Sequence, residues 1–249
     1  MIRSFAKGVL IGMACICLLA LGWLFLFRPS LARYEAAALK NEFVQNGPGG
    51  NSGALSAPGA EKESPALNLT ALQAQYPNVK AWLTIPGTAV DYPILQSSQT
   101  DPEYYLRRNY RGEYRTAGSL FLQSDCSLDG RNLIVYGHNM TDGSMFACLP
   151  RYLQERYFKA HPAIRLQTSD GTSEYRVVAA LETDVSRVPF NRTYFADDMD
   201  FLAFAQSLLD SASVKADVPV AADSRLLVLI TCSYSWPDAR YLVVAVRES

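Results

Sequence analysis

Few side chains in this chain can do nucleophilic or acid–base chemistry at neutral pH: of 249 residues, two are histidines and five are cysteines. His138 follows the apolar run NLIVYG at 132–137, and Cys232 follows the apolar run LLVLIT at 226–231. Both therefore emerge where a buried strand gives way to a loop, and Gly137 offers the backbone freedom for a sharp turn before the histidine. A free thiol has a pKa of about 8.5, so a nucleophilic cysteine needs a cation or a base beside it. Arg240 stands at the start of the next apolar run, YLVVAV at 241–246. If these last two runs pair as a hairpin, Cys232 and Arg240 face each other across its mouth. There a permanent guanidinium charge can hold a carbonyl or a developing oxyanion. Taken singly, His138 reads as a polar group in a turn, Cys232 as a small packed side chain and Arg240 as a strand-edge residue. As three groups at strand ends they point to acyl transfer through a thioester.

The other candidates have plainer explanations. His161, before Pro162, complements a helix end. Cys126 lies in a turn and Cys148 on an apolar helix face, so both read as structural, with a disulfide between them as the alternative. Asp197, Asp198 and Asp200 read as a helix cap and its solvated first turn rather than a cation site. No CxxC spacing suggests zinc, and no metal or other cofactor is expected. With 23 basic against 24 acidic side chains the chain lacks the basic surface that nucleic acid requires.

The elements that must carry these residues follow from periodicity. Asn68 caps a short helix ended by Pro77, and Asp101-Pro102 opens a brief second one. Strand-like runs occupy 81–85, 92–96, 119–123 and 132–137, and AIRLQ and SEYRVVAALET flank an Asp-Gly hairpin signal. Residues 143–160 have roughly helical spacing with a break at Pro150, and 197–212 form a further helix with Phe201, Phe204, Leu208 and Leu209 on one side. The final two runs lack polar alternation, as expected of central strands buried on both faces. The fold class is mainly β with inserted helices, about eight short strands forming a mixed barrel.

Residues 9–27 are nineteen uncharged residues, a helix of about 28 Å and enough to cross a bilayer core. A cleaved signal peptide, with Ser30-Leu31-Ala32 as its cleavage site, is the competing reading; such apolar regions run to about 7–15 residues. Arg3, Lys7 and the α-amino group place the N-terminus inside, so that residues 1–33 form a cytoplasmic stub and signal-anchor. Residues 34–45 can continue as a short helix. Residues 46–66 hold eleven Gly, Pro or Ser among 21, and 34–66 is expected to be an extracellular linker. The Gly/Pro/Ser-rich part would span roughly 25 Å as a coil, letting the body at 67–249 search a volume above the membrane.

The motifs resemble those of class B sortases, membrane-anchored cysteine transpeptidases of Gram-positive bacteria. The resemblance runs through LQAQYPNVKAWLTIPGTAVDYPILQ at 72–96, EYYLRRNYRGEYRTAGSLFLQ at 103–123, NLIVYGHNMTDGSMFACLPRYL at 132–153 and ITCSYSWPDARYLVVAVR at 230–247. The inserted helix at 197–212 also matches class B rather than class A. It implies an eight-stranded sortase-like β-barrel behind an N-terminal transmembrane helix. It also implies Cys232 as nucleophile, His138 as general acid/base and Arg240 as the group that positions substrate and steadies the oxyanion. The implied reaction cleaves a C-terminal sorting motif after Thr and passes the acyl group to an amine of the peptidoglycan precursor. Surface proteins bearing the sorting signal would be the substrates, the bilayer would hold residues 9–27, and the catalytic domain would lie on the extracellular side of the cell membrane. The calcium dependence of some class A members does not transfer. Val228 takes the place of the first Thr in the family's TLxTC pattern, and Ile230 occupies its variable position, where class B members often have Ser. Thr231, Ile230 and, within the segment 185–196, Phe190 are the expected substrate-groove residues. The alternatives are a secreted cysteine protease, which gives the acyl group to water, and a non-catalytic membrane-anchored binding module.

Overall fold

The computed structural model describes residues 13, 15–17, 31–44 and 67–248. Nine strands form one sheet: β1 (Val79–Thr84), β2 (Asp91–Leu95), β3 (Leu120–Leu122), β4 (Asn132–Tyr136), β5 (Ala163–Thr168), β6 (Gly171–Thr183), β7 (Val214–Lys215), β8 (Leu226–Cys232) and β9 (Arg240–Arg247). Their order is β5-β1-β2-β3-β4-β8-β9-β6-β7, and β5 also pairs with β6. That last pairing closes an eight-stranded barrel and leaves β7 as a flap on β6. The expected strands are all present, each within two residues of its expected bounds.

Closure explains the two apolar runs at the C-terminus. β8 lies between β4, parallel, and β9, antiparallel, with Leu226 to Thr231 all buried. Each large apolar side chain buried there contributes about 1.5–3 kcal/mol relative to exposure. A charge in this stretch would have neither water nor a partner.

Four helices decorate the barrel: α1 (Leu31–Phe43), α2 (Leu69–Gln75), α3 (Glu155–Ala160) and α4 (Asp198–Asp210). The caps follow the side chains: Asn68 accepts from the Ala71 amide at 3.0 Å, and Asp197 accepts from the Asp200 amide at 2.8 Å. Asp198 and Asp200 are paired with Arg131 and Arg192, so charge neutralisation accounts for the acidic set. His161 caps α3, its Nδ1 donating to the Tyr157 carbonyl at 3.0 Å. The helix expected over 143–160 is shorter: a 3-10 turn at Leu149–Leu153 precedes α3. Gly143 and Met145 have φ of 79° and 51°, a left-handed backbone that no α-helix accommodates. Cys148 therefore precedes a helical turn rather than lying on a helix face. Cys126 and Cys148 are both free and buried, and burial pushes each thiol up to about 11.

The short helix expected over 34–45 is present as α1, which begins three residues earlier at Leu31 and ends at Phe43. α1 docks on the barrel, burying Ala36 and Leu39, and Glu35 and Lys40 pair with Arg115 and Asp91. Val44 bridges to Leu67, and the Asn68 amide donates to the Phe43 carbonyl at 2.7 Å. The two residues that flank 45–66, Val44 and Leu67, thus lie side by side rather than roughly 25 Å apart. The expected membrane span lies outside the described residues except for Met13 and Cys15–Cys17. Among the described residues, no helix is long and apolar enough to cross a membrane.

Gly137 is needed for space rather than for a turn. A Cβ there would stand 2.4 Å from Leu120 Cδ2 and 2.8 Å from Phe146 Cδ2. Gly137→Ala is expected to destabilise the chain by about 1–3 kcal/mol through overpacking, read as a lower urea midpoint with an unchanged slope.

Candidate active site

Three strand ends build the site. In the β8–β9 hairpin Cys232 is the direct partner of Arg240, and on its other side Arg240 pairs with Thr183 of β6. β4 runs parallel to β8 with Tyr136 beside Ile230. The pairing continues past β4: the Gly137 amide donates to the Ile230 carbonyl at 3.1 Å, and Thr231 Oγ1 donates to the Gly137 carbonyl at 2.7 Å. Two residues beyond Tyr136 and Ile230, the chains present His138 and Cys232. Asn139 Nδ2 closes the join by donating to the Cys232 carbonyl at 3.2 Å.

His138 is fixed from two directions. Its carbonyl accepts from the Phe146 amide at 3.0 Å. Its Nε2 lies 2.9 Å from the Leu106 carbonyl oxygen, which can only accept, so Nε2 carries the hydrogen and Nδ1 holds the lone pair of the neutral ring. Leu106 belongs to a 3-10 turn at Tyr104–Arg107. Gly118 lets the backbone pass close by, with φ of 57° and a would-be Cβ only 2.2 Å from the Leu106 oxygen. Burial of the ring holds its pKa below the ordinary imidazole value; the Leu106 carbonyl opposes this and Arg107 adds to it.

The loop between Cys232 and Arg240 is tied down as firmly. The Ser233 amide donates to the Ala239 carbonyl at 2.9 Å, and the Ser233 hydroxyl donates to Glu182. Trp236 Nε1 donates to Asp184 Oδ2 at 2.9 Å, while the Arg187 guanidinium lies over the indole at 4.6 Å. Hydrogen bonds from Ser186 and Trp236 hold the Asp184 carboxyl below the usual carboxylate range. Arg240 Nη1 donates to the Ala239 carbonyl at 2.9 Å, which leaves further guanidinium donors for a ligand.

His138, Cys232 and Arg240 line one cleft of about 280 Å³ together with Ile230, Thr231 and, opposite them, Leu106. A larger hollow of about 550 Å³ over α4 is walled by Met199, Leu202, Leu209 and Val218 and offers no titratable group. Chemistry, not size, selects the smaller cleft. Thr231 is buried with its hydroxyl committed to Gly137, so it ties β8 to the histidine strand end. Phe190 is corrected: it is buried in the core and is not among the cleft-lining residues. Val188 and Phe190 are both buried, while Val185 and Tyr194 of the same stretch are exposed. Sequence reasoning missed Asn139, although it adjoins His138, and Leu106, whose contribution is a backbone carbonyl that leaves no side-chain signature. It also missed the Asp184–Trp236 bond.

A sortase domain model matches residues 83–248. The chain belongs to the sortase family. Sortase B of Listeria monocytogenes is 36% identical over 163 residues, 65% of each chain, so the match spans just under two thirds of that relative. Among solved structures, sortase B of B. anthracis superposes with a TM-score of 0.70 at 29% identity over 86% of this chain and 95% of that one. A Staphylococcus aureus sortase B–substrate complex gives 0.67 at 28% identity, over 72% and 84%. The class B resemblance drawn from the motifs holds, and the eight-stranded barrel matches theirs. In this sortase Val228 is wholly buried in β8, so the departure from Thr is a packing difference.

Because the folded His138 has a pKa below its unfolded value, the unfolded chain takes up the proton first as pH falls. The stability tied to the neutral ring is therefore full above the unfolded value of about 6.5 and is lost as pH drops through the folded one. His138→Gln, which keeps a donor for Leu106, should lose less stability than the native chain between about pH 7 and pH 5, as measured by urea midpoints.

Proposed function

We propose that this sortase is a cysteine transpeptidase that cleaves a C-terminal sorting motif after Thr and joins the resulting acyl group to a cell-wall amine. The observation that carries this reading is the strand register that puts Cys232 directly opposite Arg240 in the cleft His138 also lines. His138 Nδ1 takes the Cys232 thiol proton, the thiolate attacks the carbonyl carbon of the Thr, and Arg240 donates to the oxygen as negative charge gathers on it. The peptide C–N bond breaks, His138 gives its proton to the departing amine, and a thioester remains on Cys232. An incoming amine then attacks the thioester, gives its proton to His138 and releases the thiolate with a new amide bond. The Nε2–Leu106 bond keeps the ring in one tautomer, so the proton is exchanged at Nδ1. Ile230, on the nucleophile's own strand, and Thr231, through the Gly137 bond, shape the floor beneath the acyl group.

Solved relatives support the two partner classes: one sortase B is described with a substrate and another with triglycine, a peptide bearing a free amine. Surface proteins with a sorting signal and a peptidoglycan precursor amine are the partners proposed for this chain. Residues 9–27 serve as a single membrane span with the catalytic body on the outer side. The apolar length of that segment and the basic residues before it support this reading.

The test is intact-mass analysis of the chain incubated with a pool of sorting-motif peptides, followed by addition of an amine. The expected result is a mass gain equal to a peptide cut after Thr, absent in Cys232→Ala and discharged as an amide. Arg240→Lys should slow adduct formation by roughly 10²-fold or more, since Lys lacks the planar fork of donors. Discharge to the free acid alone would make the enzyme a hydrolase. Acyl transfer by Cys232→Ala would overturn the mechanism.

A further inference from the structure

α1 contacts both of the loops that hold His138, and nothing in the mechanism above uses it. One loop is 107–119, which folds back on the turn supplying the Leu106 carbonyl. The Arg115 amide donates to the Arg107 carbonyl at 2.9 Å, and the Ser119 amide to Tyr105 at 3.0 Å. Asn109 knots the tip, its Oδ1 accepting from the Arg111 and Glu113 amides at 3.0 Å each. Glu35 of α1 grips this loop: its Oε1 accepts from Arg115 Nε at 2.9 Å and Nη2 at 2.7 Å, and its Oε2 accepts from Asn109 Nδ2 at 3.4 Å.

The other loop is 138–146, which returns to His138 through the Phe146 amide and the Asn139–Met145 bridge. Asp142 Oδ1 organises its turn by accepting from the Ser144 amide at 3.1 Å and hydroxyl at 2.7 Å. Arg33 of α1 donates to the Asp142 carbonyl at 2.6 Å and stands 3.8 Å from Asp142 Oδ2. That carboxylate oxygen is buried and makes no hydrogen bond among the described residues. Met145, with its left-handed backbone, and Ala36 of α1 belong to the same core cluster.

We infer that α1 is a positioning element for His138, acting through Arg33 on the 138–146 loop and through Glu35 on the 107–119 loop. It rests on the reading of His138 and Cys232 as a working pair. A third ion pair on the same helix supplies the internal comparison: Lys40 holds Asp91 of β2 at 2.8 Å, and neither is part of the two loops that hold the histidine. A helix that merely docked would respond alike to loss of any of the three pairs. A positioning helix responds through Arg33 and Glu35 alone.

The experiment measures the rate of Cys232 alkylation by iodoacetamide against pH in the full chain, read by peptide mass so that the other four cysteines do not contribute. The charged and titratable groups that bear on His138 are Arg107 of the 3-10 turn and, lining the same cleft, Glu103, Tyr136, Cys232 and Arg240. All are retained in every variant. Arg33→Ala and Glu35→Gln are expected to change the neutral-pH rate by about two- to thirtyfold and to move the profile toward that of His138→Ala. Lys40→Ala is expected to keep the native profile, and the double exchange Glu35→Arg with Arg115→Glu to recover part of it. Native profiles for Arg33→Ala and Glu35→Gln, beside a shifted one for His138→Ala, would overturn this proposal alone, as would an equal shift for Lys40→Ala. A native profile for His138→Ala would overturn the reading of the site and this proposal with it.

Discussion

The backbone pairing of β8 with its two neighbours is the constraint on which the site depends. Strand register has no intermediate settings, because a slip of one residue turns every side chain to the other face. With β8 buried on both faces, such a slip would drive its apolar residues out of the spaces that hold them. The energy that fixes the relation of Cys232 to Arg240 and to the end of β4 is therefore the burial energy of the barrel itself. Cys232 and Arg240 take their places from the strand ends that packing locks, whereas His138, beyond the end of β4, is held further by the loops around it.

Around that join, the backbone does the fine placement. The Leu106 carbonyl sets the tautomer of His138, the Gly137 carbonyl accepts from Thr231, and the Cys232 carbonyl accepts from Asn139. Two glycines allow the close approaches, Gly137 beneath Leu120 and Phe146, and Gly118 against the Leu106 carbonyl. Both are positions where a methyl group would enter space already filled. The cleft is thus assembled by chains lying unusually near one another, and its chemistry is exposed only where those chains diverge.

Much of this was legible in the residues. Unbroken apolar runs at 226–231 and 241–246 marked a central strand pair, and the short loop between them implied that Cys232 and Arg240 face one another. The link to His138 could not be read locally, because the parallel pairing of β4 with β8 joins segments far apart in the chain and leaves no turn signature. Phe190 came from the resemblance rather than from any local pattern, and in the structure it is buried in the core. The helix of α1 was legible but its docking was not, because its buried stripe is only Ala36 and Leu39. Much of its hold on the barrel comes from ion pairs with residues distant in sequence.

If the three strand ends make a working site, Cys232 is a reactive nucleophile while the buried thiols of Cys126 and Cys148 are inert. The most direct measurement compares the alkylation rates of Cys232, Cys126 and Cys148 in the native chain by peptide mass. Rapid modification is expected at Cys232, and none at the two buried thiols until the barrel is unfolded by denaturant. A Cys232 that reacts no faster than Cys126 and Cys148 under native conditions would contradict it.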